Sequence, residues 1–222
     1  MQDLIQQERF EMEVLDYLNS GQFLRFLVFC GGTMLRLCHG LDRYSVDLDF
    51  WLRDAEKGSS LLQQLSASLS RVYRLKDVAE KHHTLLVEFR SPIYPRSLKI
   101  EIRKRNDKYV TESAIAYSPH STRQVLVQVP TLREMMAAKT AAFLDRGEVR
   151  DAYDMEFLVK RGMEPVGDKE SMAAILARIE ALSKRDYSVK LGSLLDASKR
   201  EYYREHNFRI LKAAIGERIR TL

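Results

Sequence analysis

The sequence predicts an α+β fold, with a mixed-sheet core over residues 1–130 followed by a helical bundle over residues 131–222. Three observations predict it. Short apolar runs of strand length recur as far as residue 129 and then stop. Pro130 closes the last of them, and Thr131-Leu132-Arg133-Glu134 has the form of a capping box, which opens a helix. From there to the end, apolar residues recur at helical spacing. With 222 residues, 45% of them hydrophobic and 30% charged, the chain can bury a core; disordered, collagen-like and coiled-coil readings are excluded.

The elements follow in order. Phe10, Val14, Tyr17 and Leu18 mark an amphipathic helix over residues 8–20, which Gly21 ends. The run 26–30 (FLVFC) is a strand, followed directly by Gly31-Gly32-Thr33 and a short helix over 34–38. A turn at 40–43 leads into a second strand, 46–52 (VDLDFWL). Leu61, Leu62, Leu65 and Leu69 give a helix within 58–72, and strands are expected at 73–78, 84–90, 97–103 and 123–129. Helices are then expected at 131–145, 150–161, 170–183 and 197–220, with breaks near Gly147, Gly162–Gly167 and Lys184–Gly192.

Charge and leader arguments narrow the setting. Lys and Arg number 36 against 31 Asp and Glu, a net charge of +5 spread over both halves, which suits a polyanionic ligand without demanding one. No apolar run approaches the roughly 20 residues that span a bilayer, since Arg25 and Arg36 interrupt the best stretch. The start, MQDLIQQERFEME, is polar and acidic where a signal peptide would be basic and then apolar. A cytoplasmic location and no membrane partner are therefore expected, with Cys30 and Cys38 as reduced core thiols.

Within VDLDFWL, Asp47 and Asp49 stand two apart, so on a strand both project from one face. Unneutralised, neighbouring carboxylates repel; Mg²⁺, which takes oxygen ligands together with substrate phosphates, removes the conflict. An edge strand with one wet acidic face would look the same. Gly31-Gly32-Thr33 between a strand and a helix is an arrangement whose free backbone N–H groups bind anions such as a triphosphate, or else a tight turn needing glycine. Arg43 and Ser45 add a guanidinium fork and a hydroxyl beside the Asp pair. On the strand SLKIEI, Glu101 faces the same way as Lys99 and Arg103; it would complete a two-metal site, or pair with one of those cations in solvent. Further on, Leu132, Met136, Lys139, Phe143 and Arg146 fall on one helical stripe, so Lys139 and Arg146 interrupt an apolar face and imply an anionic partner. That partner is either a nucleotide or the pair Asp151 and Asp154 on the next helix.

The string GGTMLRLCHGLDRYSVDLDF resembles the signature of the nucleotidyltransferase toxins of the AbiEii/AbiGii family, a branch of the DNA polymerase β-like superfamily. Fourteen residues separate Gly32 from Asp47, the longer spacing of that branch. The stretch from Glu134 to Lys139, then Arg146 and RDAYD from Arg150 to Asp154, is similar to the family's second signature. The likeness runs over residues 25–160 and leaves 165–222 as helices without a counterpart. It implies a polymerase β-like nucleotidyltransferase core whose cleft the helical domain completes. It also implies transfer of a nucleoside monophosphate from an NTP to a hydroxyl, with two Mg²⁺ ions held by Asp47, Asp49 and Glu101. Gly31, Gly32, Thr33 and Ser45 would hold phosphates; Lys139, with Arg43 and Arg146, would neutralise charge, and Asp151 would belong to the active site. A tRNA 3′ end is the first expectation for the acceptor; Arg103, Lys104, Arg105 and Lys108, with Tyr109, and the Lys and Arg scattered through 184–220 either track its phosphates or form a solvated surface. A protein Ser or Tyr hydroxyl, a non-catalytic nucleotide-binding module and a cognate antitoxin as partner stay open.

Overall fold

The computed structural model describes residues 2–105 and 107–222. These divide into two compact units: the chain up to Gly40 with Tyr44–Pro130, and Leu41–Arg43 with Thr131–Leu222.

The first unit opens with α1, Gln2–Ser20, which starts six residues before the position that apolar periodicity predicts. The periodicity falls short because this helix buries polar side chains, Gln7, Glu8 and Glu11, beside Phe10, Val14 and Leu18. The predicted strand at 26–30 is trimmed to β1, Leu27–Cys30, because Phe23–Phe26 winds as a 3₁₀ turn. Helix α2, Gly31–His39, begins at the first glycine, and Gly40 closes it in the left-handed region. Strand β2, Leu48–Leu52, is shorter than predicted, so Asp47 is the last residue before the strand. Helix α3, Gly58–Leu69, leads to β3, Arg74–Glu80, β4, Thr84–Arg90, and β5, Leu98–Lys104. The sheet order is β1-β2-β5-β4-β3, and only β2 and β5 run parallel, which makes the sheet mixed.

One sheet face is core. Leu48 and Phe50 of β2, Ile100 and Ile102 of β5, and Leu85 and Val87 of β4 meet in register, all buried. Each such aliphatic or aromatic side chain gains roughly 1.5–3 kcal/mol on leaving water. Two further strands, β6 (Thr111–Tyr117) and β7 (Gln124–Pro130), form a separate hairpin. The sequence reading missed β6, TESAIAY, because only Ala116 in it is buried and no apolar alternation results.

The second unit holds α4 (Leu132–Arg146), α5 (Val149–Lys160), α6 (Lys169–Glu180), α7 (Ala197–His206) and α8 (Arg209–Thr221). Thr131 caps α4 by accepting from the Glu134 amide, as its motif predicts. The single helix expected at 197–220 is two, because Asn207 and Phe208 both adopt left-handed backbone angles. Phe208 is wholly buried, and Leu211 just beyond donates its amide to Glu156 at 3.0 Å, so the corner is held by packing and by a buried carboxylate. A wide-wound turn, Asp186–Leu191, fills part of the predicted break before α7. Among the described residues no helix is long and apolar enough to cross a membrane.

Candidate active site

The parallel pairing of β2 with β5 sets Asp49 directly opposite Glu101, while on its other side Asp49 pairs with Cys30 of β1. The acid is thus fixed between two strands. Asp47, just outside β2, is joined to Glu101 through Lys99, whose ammonium lies 2.6 Å from Glu101 Oε1 and 3.9 Å from Asp47 Oδ2. The Lys99 pairing expected as one alternative for Glu101 is therefore present, and in the same place as the carboxylate cluster. Asp47, Lys99 and Glu101 each keep about a third of their side-chain surface in water. The hydrogen bond that Lys99 donates to Glu101, with the charge of Asp47 adding to it, holds Lys99 charged above the usual lysine range.

Gly31 is required here for two reasons. Its φ is +78°, and a β-carbon on it would stand 2.9 Å from Asp49 Cβ and collide with the Asp49 carboxylate. The first turn of α2 therefore lies against the acid, with its N–H groups free of intrahelical acceptors. Gly32 is buried in that turn. Thr33, expected to offer its hydroxyl to phosphate, instead donates to the Asp47 carbonyl at 2.5 Å and is fully buried; it braces the acid loop. Ser45 sits half-buried in the irregular segment entering β2.

Helix α1 supplies residues that the sequence reading overlooked. Gln7 donates to the carbonyls of Val46, at 3.0 Å, and Ser97, at 3.4 Å, and so ties the entrances of β2 and β5 to one side chain. Glu8 pairs with Arg36 and accepts from Ser118 at 2.5 Å. Glu11 is buried with neither carboxyl oxygen hydrogen-bonded; burial first and the charge of Glu8 second push its pKa well above the usual carboxylate range, with Asp47 and Asp49 adding to the effect. The signal available was three polar residues at positions 7, 8 and 11, which share one helical face.

In the helical unit, Lys139 is buried and lies 2.6 Å from Asp154 and 3.1 Å from Asp151. Arg43 makes a two-pronged contact with Asp154, at 2.6 and 2.7 Å, and Arg146 another with Asp151, at 2.7 and 2.9 Å. Burial opposes the Asp154 charge, but Arg43 and Lys139 outweigh it and hold the carboxyl below its ordinary range. Lys139 and Arg43 are in turn held charged, against burial, by Asp154 above all. The expected burial of Arg146 is corrected: its side chain is 53% exposed, because it leaves from the last turn of α4. Asp154, assigned no role beyond a partner for Lys139, is the hub of the cluster. A cavity of about 480 Å³ beside Arg133, Gly162–Gly167 and Arg218 contains none of the expected residues.

The oxygen donors of Asp49 on β2, Glu101 on β5 and Asp47 just before β2, all part-exposed, fit the chemistry of Mg²⁺. No group of three His, Cys, Asp or Glu among the described residues forms a ready-made ion cage. Cys30 and Cys38 form no disulfide, and burial pushes Cys38 up to about 12, so it is inert.

A family model described as nucleotidyl transferase AbiEii toxin, type IV TA system, matches residues 14–216. Among solved structures the chain is similar to JHP933 from Helicobacter pylori, with 18% identity, 96% of this chain and 95% of that one covered, and a TM-score of 0.53. A second Helicobacter pylori structure gives 19% identity, coverage of 94% and 96%, and a TM-score of 0.54. MenT4, a nucleotidyltransferase toxin from Mycobacterium tuberculosis, gives 18%, coverage of 96% and 91%, and 0.50. At such identities these likenesses show a common fold. No curated protein matches the sequence.

Proposed function

Because the chain belongs to the AbiEii nucleotidyltransferase toxin family of type IV toxin–antitoxin systems, we propose that it transfers a nucleoside monophosphate from an NTP to an RNA hydroxyl, with a tRNA 3′ end as the acceptor. The observation that carries this reading is the register of Asp49 against Glu101, with Gly31 pressed on Asp49 at the head of α2. Acids and a helix N-terminus in one unit are what metal-assisted phosphoryl chemistry needs.

In the proposed reaction the acceptor oxygen attacks the α-phosphorus, the bond to the β-phosphoryl oxygen breaks, and pyrophosphate leaves with the electron pair. Asp47, Asp49 and Glu101 would hold two Mg²⁺ ions, which would supply positive charge to polarise the phosphoryl oxygens. Glu101 takes the proton of the attacking hydroxyl. The first-turn N–H groups at Gly31 and Gly32, with the Ser45 hydroxyl, receive phosphate oxygens, and Thr33 keeps Asp47 in place through its carbonyl. In the helical unit, Arg43 and Lys139 pair with Asp154, and Lys139 and Arg146 with Asp151. Lys139, with Arg43 and Arg146, is assigned the neutralisation of phosphate charge, and Asp151 holds Lys139 in place.

Purified protein incubated with each α-labelled NTP, Mg²⁺ and total cellular RNA and protein tests the assignment. Label on tRNA is expected. Label on protein would move the acceptor to a Ser or Tyr hydroxyl, and no label anywhere would overturn transferase activity in favour of a nucleotide-binding module.

A further inference from the structure

Lys99 occupies a place where an ammonium and a divalent cation want the same oxygens. The alternation of β5 puts Lys99 and Glu101 on one sheet face. Its Nζ is hydrogen-bonded to Glu101 at 2.6 Å and within ion-pair range of Asp47 at 3.9 Å, while Asp49 is the cross-strand partner of Glu101. Three carboxylates gathered without a counter-charge repel one another. Lys99 supplies that charge from within the chain. It is a compact charge on a flexible four-carbon stem, and about a third of it is exposed, so it can leave its partners without dragging backbone with it.

We propose that Lys99 is the internal counter-ion of the carboxylate site. In the nucleotide-free chain it holds Glu101 and Asp47 together and competes with the divalent cation for them. Metal binding is thereby weak until a nucleotide brings phosphate oxygens to which the ammonium can turn. The proposal rests on the reading of Asp47, Asp49 and Glu101 as the metal-binding acids.

The test is Mn²⁺ binding to the full chain, followed by the electron paramagnetic resonance of free Mn²⁺, without nucleotide and again with a non-hydrolysable NTP analogue. Lys99→Met is expected to bind Mn²⁺ at least tenfold more tightly than wild type when nucleotide is absent. The advantage should shrink when the analogue is present. Lys99→Arg, which keeps the charge, should stay near wild type. A unit charge about 4 Å from a divalent ion would give far more than tenfold at an effective dielectric of about 20, and solvent screening at a part-exposed site brings the floor down to that factor. Unchanged or weaker Mn²⁺ binding in Lys99→Met overturns the proposal, as does a lowered melting temperature with unchanged Mn²⁺ binding. Lys99→Gln serves as the second neutral variant if Lys99→Met fails to fold. Asp49→Asn separates the two levels. It should lose most Mn²⁺ binding, and if it binds like wild type the metal-site reading itself fails, whatever Lys99 does.

Discussion

Gly31 carries two demands at a single position, a left-handed backbone and room for a carboxylate. Gly31→Ala should cost roughly 1–2 kcal/mol for the backbone conformation, read as a lowered melting temperature. It should cost activity far more. A 1 Å displacement of a reacting group is worth about 100-fold, so label transfer should fall at least that much while the protein still folds. Glu11 makes a different prediction, because its pKa is raised by burial and by nearby acids. Below about pH 4.3, the ordinary glutamate value, both folded and unfolded chains are protonated and the buried neutral acid costs nothing extra. As pH rises, the unfolded chain ionises first, so stability falls until the folded pKa is passed. Glu11→Gln removes that loss. Urea denaturation should show the variant more stable than wild type at pH 7, with the gap closing toward pH 4; an equal gap at both would place the Glu11 shift elsewhere.

Among the elements, β2 and β5 are where the candidate site was most legible. Asp-x-Asp and the alternation LKIEI declare which side chains share a face, and the apolar partners Ile100 and Ile102 fix the register that brings Glu101 to Asp49. The polar face of α1 was not legible, since burying Gln7, Glu8 and Glu11 breaks the apolar stripe by which helices are read. Neither was the corner at Asn207 and Phe208, whose left-handed angles are set by the burial of Phe208 and contradict the local helical pattern. Lys139 was legible as an oddity on an apolar stripe that implies an anionic partner, and Asp154 lies 2.6 Å from it. That residue fastens the segment Leu41–Arg43 to α4 and α5. Asp154→Asn leaves Arg43 and Lys139 buried with one partner fewer, and should destabilise the helical unit by about 3–5 kcal/mol in thermal or chemical denaturation. Because Asp154 is depressed, its contribution is present above about pH 3.9 and is lost as pH falls through the folded value, so the gap between variant and wild type should narrow in acid.

Across the whole molecule, composition spoke only to class. A net charge of +5 spread along the chain marks no nucleic-acid face, and it is the family model over residues 14–216 that gives the family. The sheet unit holds the acids and the glycine-opened helix, and the helical unit holds the ion-pair cluster of Arg43, Lys139, Arg146, Asp151 and Asp154. The central claim is that the strand-held acids perform nucleotide transfer. It is tested most directly by the rate at which Asp49→Asn, verified as folded by circular dichroism, moves label from an α-labelled NTP to RNA beside wild type. Wild type should transfer label and the variant none above background; wild-type rates from folded Asp49→Asn would refute the role of these acids.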